Sequence, residues 1–294
     1  MGEYVLSCCS TADRSKEFFE ENGIIYACFH YHIGEEEFVD DLGQSVTFAE
    51  FYEKMKQGAE PETSQVNSDQ FMELWEPVLQ SGKDILHVTL SSGISGVYNS
   101  ANIAAQEMME KYPERQVRVV DSLGASSGYG LLMEYLAEQK RQNKSLEEVY
   151  QWAEEYKLHL QHWFFSTDLT NYVRGGRISP TSGILGTALG ICPLLNVDAE
   201  GKLIPQAKIR TKKKVIREIV KKMEEHAQDG RNYHGKAAIS YSACLEDAQK
   251  VRDLILETFP NIQEISMDSI GTVIGSHTGP GTVALFYMGD KRSI

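Results

Sequence analysis

The chain has 294 residues, a length for one large domain or two modest ones and enough to bury a core without disulfide staples. Its 29 Lys and Arg stand against 42 Asp and Glu, a formal net charge of −13, which excludes broad binding to nucleic acid or anionic membranes because both need a positive field. A hydrophobic content of 41% with 24% charged residues excludes a disordered chain.

Residues 4–9 read as a strand, with Ser10 or Thr11 as the N-cap of a helix near 15–21. A second strand is expected over 24–32, followed by amphipathic helices near 48–56 and 68–79. The apolar run 84–90 (DILHVTL) predicts a strand, then a Ser/Gly turn (SSGISG) and a helix running through 106–111. Residues 116–121 (QVRVVD) predict another strand, followed by a Gly/Ser turn and a helix to Gln139. Strands alternating with helices imply parallel pairing in an α/β layer. A helix near 146–158 bridges to a less regular second half. There the pattern predicts a strand at 162–166 and a hairpin of 193–197 with 202–207 around Asp198-Ala199-Glu200-Gly201. Helices near 213–225 and 245–258 alternate with strands near 237–241 and 264–267, and 283–288 forms the last strand. The expected organisation is an N-terminal α/β domain over 1–158 and a C-terminal α+β domain over 159–294.

Five cysteines (Cys8, Cys9, Cys28, Cys192 and Cys244) form no C-x-x-C pair and leave an odd count, so a reducing, cytoplasmic setting is expected rather than a disulfide framework. The first residues lack the basic and apolar regions of a signal peptide. The least polar stretch, 183–197, is too short to span a bilayer.

Four segments carry candidate chemistry. The turn 91–96 follows a buried-type strand and opens a helix, where hydroxyls and free N–H groups suit a carboxylate or phosphate; helix capping is the plainer role for Ser95. Residues 124–128 (GASSG) match G-x-S-x-G, but Ser126 lies five residues beyond the strand end at Asp121. A Gly/Ser-rich helix start capped by Asp121 is therefore preferred to a nucleophile elbow. The run 271–282 (GTVIGSHTGPGT) places His277 in a glycine-rich loop, either as a ligand contact or as a structural histidine. Residues 174–179 (RGGRIS) form a basic turn whose guanidinium groups suit an anion. Beyond these, 208–222 holds eight Lys or Arg with Glu218 as its one acid, a solvated helix face or a docking face for an acidic partner. His30 and His32 with Glu35–Glu37 read as a strand and an acidic loop rather than a metal site, and no metal-binding spacing occurs elsewhere.

Taken in order, Thr63-Ser64-Gln65, 91–98 (SSGISGVY), Asp121-Ser122, 175–178 (GGRI) and 275–281 (GSHTGPG) resemble the DegV family over nearly the whole chain. The resemblance implies a two-domain fold, with a mostly parallel N-terminal sheet, a mixed C-terminal sheet and a ligand tunnel between them. It implies a protein without catalytic residues, metal or cofactor that holds one long-chain fatty acid. It further implies presentation of that acid to a separate, dihydroxyacetone-kinase-like fatty acid kinase for acyl-phosphate formation in phospholipid metabolism. By the same resemblance Thr63, Ser95 with Gly96, His277 with Thr278, and Arg177 form the carboxylate site, and Arg210, with Lys212 and Lys213, faces the kinase. Cys9 departs from the family's first acid, Ile94, Val97 and Val66 depart from its common neighbours, and Cys192 stands where a Lys is usual. A serine-dependent lipid hydrolase or acyltransferase using Ser126 or Ser95 with His277 is the competing expectation, and a carrier or sensor without a kinase is a third.

Overall fold

The computed structural model describes residues 3–180 and 190–293. Its strands are β1 (Tyr4–Cys9), β2 (Ile24–Ala27), β3 (His30–Ile33), β4 (Glu36–Val39), β5 (Glu62–Ser64), β6 (Asp84–Thr89), β7 (Val117–Asp121), β8 (Leu160–Phe165), β9 (Ile191–Val197), β10 (Leu203–Arg210), β11 (Lys236–Tyr241), β12 (Glu264–Ser269) and β13 (Val283–Met288). Its helices are α1 (Lys16–Glu21), α2 (Phe48–Lys56), α3 (Ser68–Gln80), α4 (Val97–Lys111), α5 (Ser127–Arg141), α6 (Leu146–Tyr156), α7 (Thr170–Arg174), α8 (Lys212–His226), α9 (Leu245–Thr258) and α10 (Thr272–Thr278).

Three sheets result. A parallel sheet runs β2-β1-β6-β7, a mixed sheet runs β10-β9-β8-β13-β11-β12, and a small antiparallel sheet runs β4-β3-β5. The first two are the expected α/β layer and mixed second sheet. Between them lies α5, which packs on β1 from one side and on β8, β11 and β13 from the other. Every residue from Ser127 to Met133 is buried, as befits a helix covered all round. One continuous core therefore joins Leu6 and Val88 of the parallel sheet to Phe164 and Phe286 of the mixed one.

Several expectations are corrected. Ser15, not Ser10 or Thr11, caps α1, accepting from the Phe18 N–H; Ser10 instead accepts from the Phe29 N–H and Thr11 bonds the Tyr129 hydroxyl. The anticipated strand at 24–32 breaks at Cys28-Phe29 into β2 and β3, which join different sheets. The short strands β4 and β5 were not anticipated. Asp121 does not cap α5; its Oδ1 accepts from the N–H groups of Ser92 and Leu123. The apolar run 183–197 lies partly, at 183–189, outside the described residues.

Candidate functional site

Four segments distant in sequence meet at one end of a cavity of about 420 Å³ between the sheets. Thr63 arrives on β5, held opposite Tyr31 of β3. Ser95 lies in the turn before α4, where its Oγ accepts from the Val97 N–H (3.3 Å) and donates to Gln65 Oε1 (3.4 Å). Arg177 follows α7, and His277 and Thr278 close α10.

His277 was expected in a loop and is helical. The short α10 is made of residues with little helix preference, so its position comes from outside. The Gly271 N–H donates to Asp13 Oδ1 (3.0 Å), the Thr272 hydroxyl donates to Asp40 Oδ1 (2.7 Å), and the Tyr52 hydroxyl donates to Ile270 O. Burial raises both carboxyl pKa values, that of Asp40 and, further, that of Asp13. These anchors, Asp13 and Asp40, carry no sequence signal that ties them to α10.

At the other end of α10, His277 Nε2 and Thr63 Oγ1 share a hydrogen bond of 2.8 Å. The ring edge carrying Nδ1 lies against Gly175, where a Cβ would sit 2.3 Å from that nitrogen. Gly176 takes φ +72°, which turns the chain and brings Arg177 back toward the 91–96 turn. There the Arg177 Nε donates to Ile94 O (3.1 Å) and its Nη1 donates to Gly175 O (2.6 Å). The Gly-Gly-Arg sequence thus makes room for the histidine, reverses the chain and staples the two loops.

Thr63, Ser95, Arg177, His277 and Thr278 all line the cavity. Gly96 does not; it is exposed at the start of α4 beside the Gln65 side chain. Among the described lining residues no carboxylate faces the cavity, and Arg177 is the one group charged at neutral pH. Burial, then the guanidinium groups of Arg177 and Arg174, lower the His277 pKa to about 4. Beyond this polar end the walls are apolar, from Phe29, Val273 and Ile274 to Phe164 and Phe286. Exposed Ser64 and Gln65 place the polar end near solvent, whereas Phe164 and Phe286 are buried. Such a chamber suits an amphiphile with an anionic head: the tail leaves water and the head meets donors.

Ser126 also lines the cavity, at φ +55°, but its hydroxyl donates to Asp13 Oδ2 and contacts Ser240 Oγ at 2.9 Å. Neither Ser126 nor Ser95 hydrogen-bonds a histidine among the described residues. The basic residues lie apart from this group. Arg210 ends β10, opposite in that strand to the cavity-lining Leu203, and Lys212 and Lys213 open α8. Lys212 pairs with Asp247 at 2.6 Å, while Arg210 and Lys213 are exposed and enter no ion pair among the described residues. Cys9 is buried beside His87 (3.8 Å) rather than in the cavity, and burial pushes its thiol pKa up. His32 faces Glu37 at 4.0 Å across the β3–β4 hairpin, and the described residues contain no cluster of three potential metal ligands. No described helix is long and apolar enough to cross a membrane.

A family model described as uncharacterised protein, DegV family, matches residues 9–290. The chain belongs to the DegV family. A DegV domain-containing protein of Clostridium perfringens is 38% identical over 292 residues, covering 99% of each chain. Among solved structures, a DegV family protein from Thermus thermophilus, studied for fatty acid binding, superposes with a TM-score of 0.87 at 27% identity, over 99% of this chain and 100% of that one. The Streptococcus pneumoniae fatty acid kinase (Fak) B3 protein, loaded with linoleic acid, shares the fold with a TM-score of 0.85 at 22% identity, over 98% and 100%. The matched residues include every segment of the candidate site.

Proposed function

We propose that this DegV protein holds one long-chain fatty acid in the cavity, its carboxylate bound by Thr63, Ser95, Arg177 and His277 and its tail along the apolar walls. The observation that carries this reading is a single chamber with donors and one guanidinium at its solvent end, no facing carboxylate among the described residues, and hydrocarbon walls beyond. At about 0.8 kcal/mol per buried methylene, a long tail supplies most of the affinity and the polar end fixes orientation. The relative from Thermus thermophilus, which binds fatty acid, supports the ligand class.

In this reading the protein does no chemistry of its own. It presents the solvent-side carboxylate to a separate cytoplasmic kinase, which docks on the exposed basic residues Arg210, Lys212 and Lys213. In a chain of net charge −13, that local excess of positive charge gives an acidic partner one face to find. In this reading the N-terminal domain comprises residues 1–158 and the C-terminal domain residues 159–294.

Native mass spectrometry of the purified protein, then denaturing extraction, tests the ligand. A stoichiometric long-chain fatty acid is expected, and an apo mass that takes up none on incubation overturns the reading. Ser95→Ala and His277→Ala should each weaken retention by about 1–3 kcal/mol. A fluorophosphonate probe should leave Ser95 and Ser126 unmodified; covalent labelling of either would establish a hydrolase instead.

A further inference from the structure

Farthest from Thr282 along β13 and its partner β8, the cavity is lined by two rings, His162 and Phe286. Thr282, just before β13, and Ala284 and Phe286 on it line the cavity, as do Phe164 and His162 of β8, in the register Ala284–Phe164 and Phe286–His162. Thr282 stands at the polar end, its hydroxyl 3.0 Å from that of Tyr172. From there to Phe286 the strand advances about 13 Å. The next pair on the same face, Met288 with Leu160, does not line the cavity.

His162 and Phe286 meet edge to face, with centroids 5.1 Å apart and planes at 77°. Behind both lies Gly128 in the first turn of α5. A Cβ there would sit 2.3 Å from His162 Nε2 and 2.6 Å from Phe286 Cδ1, and one on Gly124 would sit 2.5 Å from the same nitrogen. The rings are seated on bare backbone, as far back as the helix allows. His162 Nδ1 lies 2.9 Å from Leu160 O, a contact that requires the proton on Nδ1 and leaves Nε2 an acceptor. That acceptor is buried and has no partner among the described residues. The ring therefore makes one local hydrogen bond and otherwise occupies space.

We propose that His162 and Phe286 set the longest acyl chain the cavity accepts, and that Gly128 fixes the depth at which they stand. This rests on the fatty-acid reading, and the experiment separates the two. Delipidated wild type, His162→Val and Gly128→Ala are each offered an equimolar series of straight-chain saturated fatty acids of graded length. Native mass spectrometry reads the lengths taken up, and thermal denaturation establishes that each protein is folded. His162→Val should raise the preferred length by about one or two carbons, with about a fourfold gain in affinity for each methylene newly buried. Gly128→Ala keeps a helical backbone but pushes both rings into the lumen, so the preferred length should fall. If Gly128→Ala does not fold, His162→Val and His162→Ala decide the matter. Wild type that takes up no fatty acid overturns the ligand reading itself. Wild type with a length preference that the folded His162 variants share unchanged overturns this inference alone.

Discussion

Replacing His277 by Gln tests the electrostatics of the candidate site without a ligand. In the folded protein, burial and the neighbouring Arg177 and Arg174 lower the His277 pKa from 6.5 to about 4. In the unfolded chain it returns to about 6.5. Above that pH both states hold a neutral ring, and titration contributes nothing to the stability difference. As pH falls, the unfolded chain binds the proton first, so the native state loses stability until about pH 4, below which both states are protonated. The gap of about 2.5 units corresponds to about 3 kcal/mol in all, or about 1.4 kcal/mol for each pH unit within the window. Glutamine keeps a polar group toward Thr63 but does not titrate. His87, which burial lowers to about 3, titrates in both proteins and cancels in the comparison. Urea denaturation of the delipidated proteins at several pH values should show wild type losing stability faster than His277→Gln as pH falls below about 6.5. Parallel curves would refute the argument that this ring is held neutral beside two guanidinium groups. A bound carboxylate would offset that positive field, so the same pair measured with fatty acid present should diverge less.

Thr63→Val removes the 2.8 Å hydrogen bond to His277 and should weaken fatty acid retention by about 1–3 kcal/mol, read as faster exchange of labelled ligand. Gly175→Ala places a methyl group on His277 Nδ1 and should displace the ring, cutting ligand retention while lowering stability by about 1–3 kcal/mol; titration calorimetry and melting separate the two. Arg14 bonds Glu134, Ser266 and Asp268 with its side chain largely buried, so Arg14→Met should cost about 3–5 kcal/mol in denaturant unfolding. Arg210→Glu should leave ligand retention unchanged and, if the proposed kinase coupling holds, reduce acyl-phosphate formation when the kinase is added. Equal loss of both would make the residue structural.

The sequence made the long apolar strands visible because β6 and β7 carry runs that read the same in any context. It hid β5, whose Glu-Thr-Ser has no strand signal of its own and is a strand because Tyr31 and its neighbours in β3 pair with it. It hid the break between β2 and β3 because the apolar pattern continues through Cys28 and Phe29, while the Ser10 hydroxyl draws the Phe29 N–H away from the sheet. His277 looked like a loop residue among glycines, since the carboxyls that hold α10 lie on residues 13 and 40, far from it in sequence. Thr63, Ser95, Arg177 and His277 could be singled out as short motifs, but their meeting depends on contacts across as many as 214 residues. His162, Tyr172 and Phe286 gave no signal, because a residue that lines an apolar chamber and one that fills a core have the same chemistry.

That last ambiguity has a physical counterpart. Apolar walls that meet no packing partner cost stability in proportion to the volume left unfilled. The wall residues are core residues whose partner is missing from the polypeptide. In the proposed reading a fatty acid tail supplies that partner and belongs to the core as much as Phe164 or Phe286 does. The polar end then has a separate task. In the same reading it contributes little to filling the space but sets which end of the chain faces solvent, the orientation that presenting a carboxylate to a kinase requires. Substitutions along the walls should therefore change stability and ligand length together, whereas substitutions at Thr63, Ser95 or Arg177 should act mainly on the direction and retention of the head group.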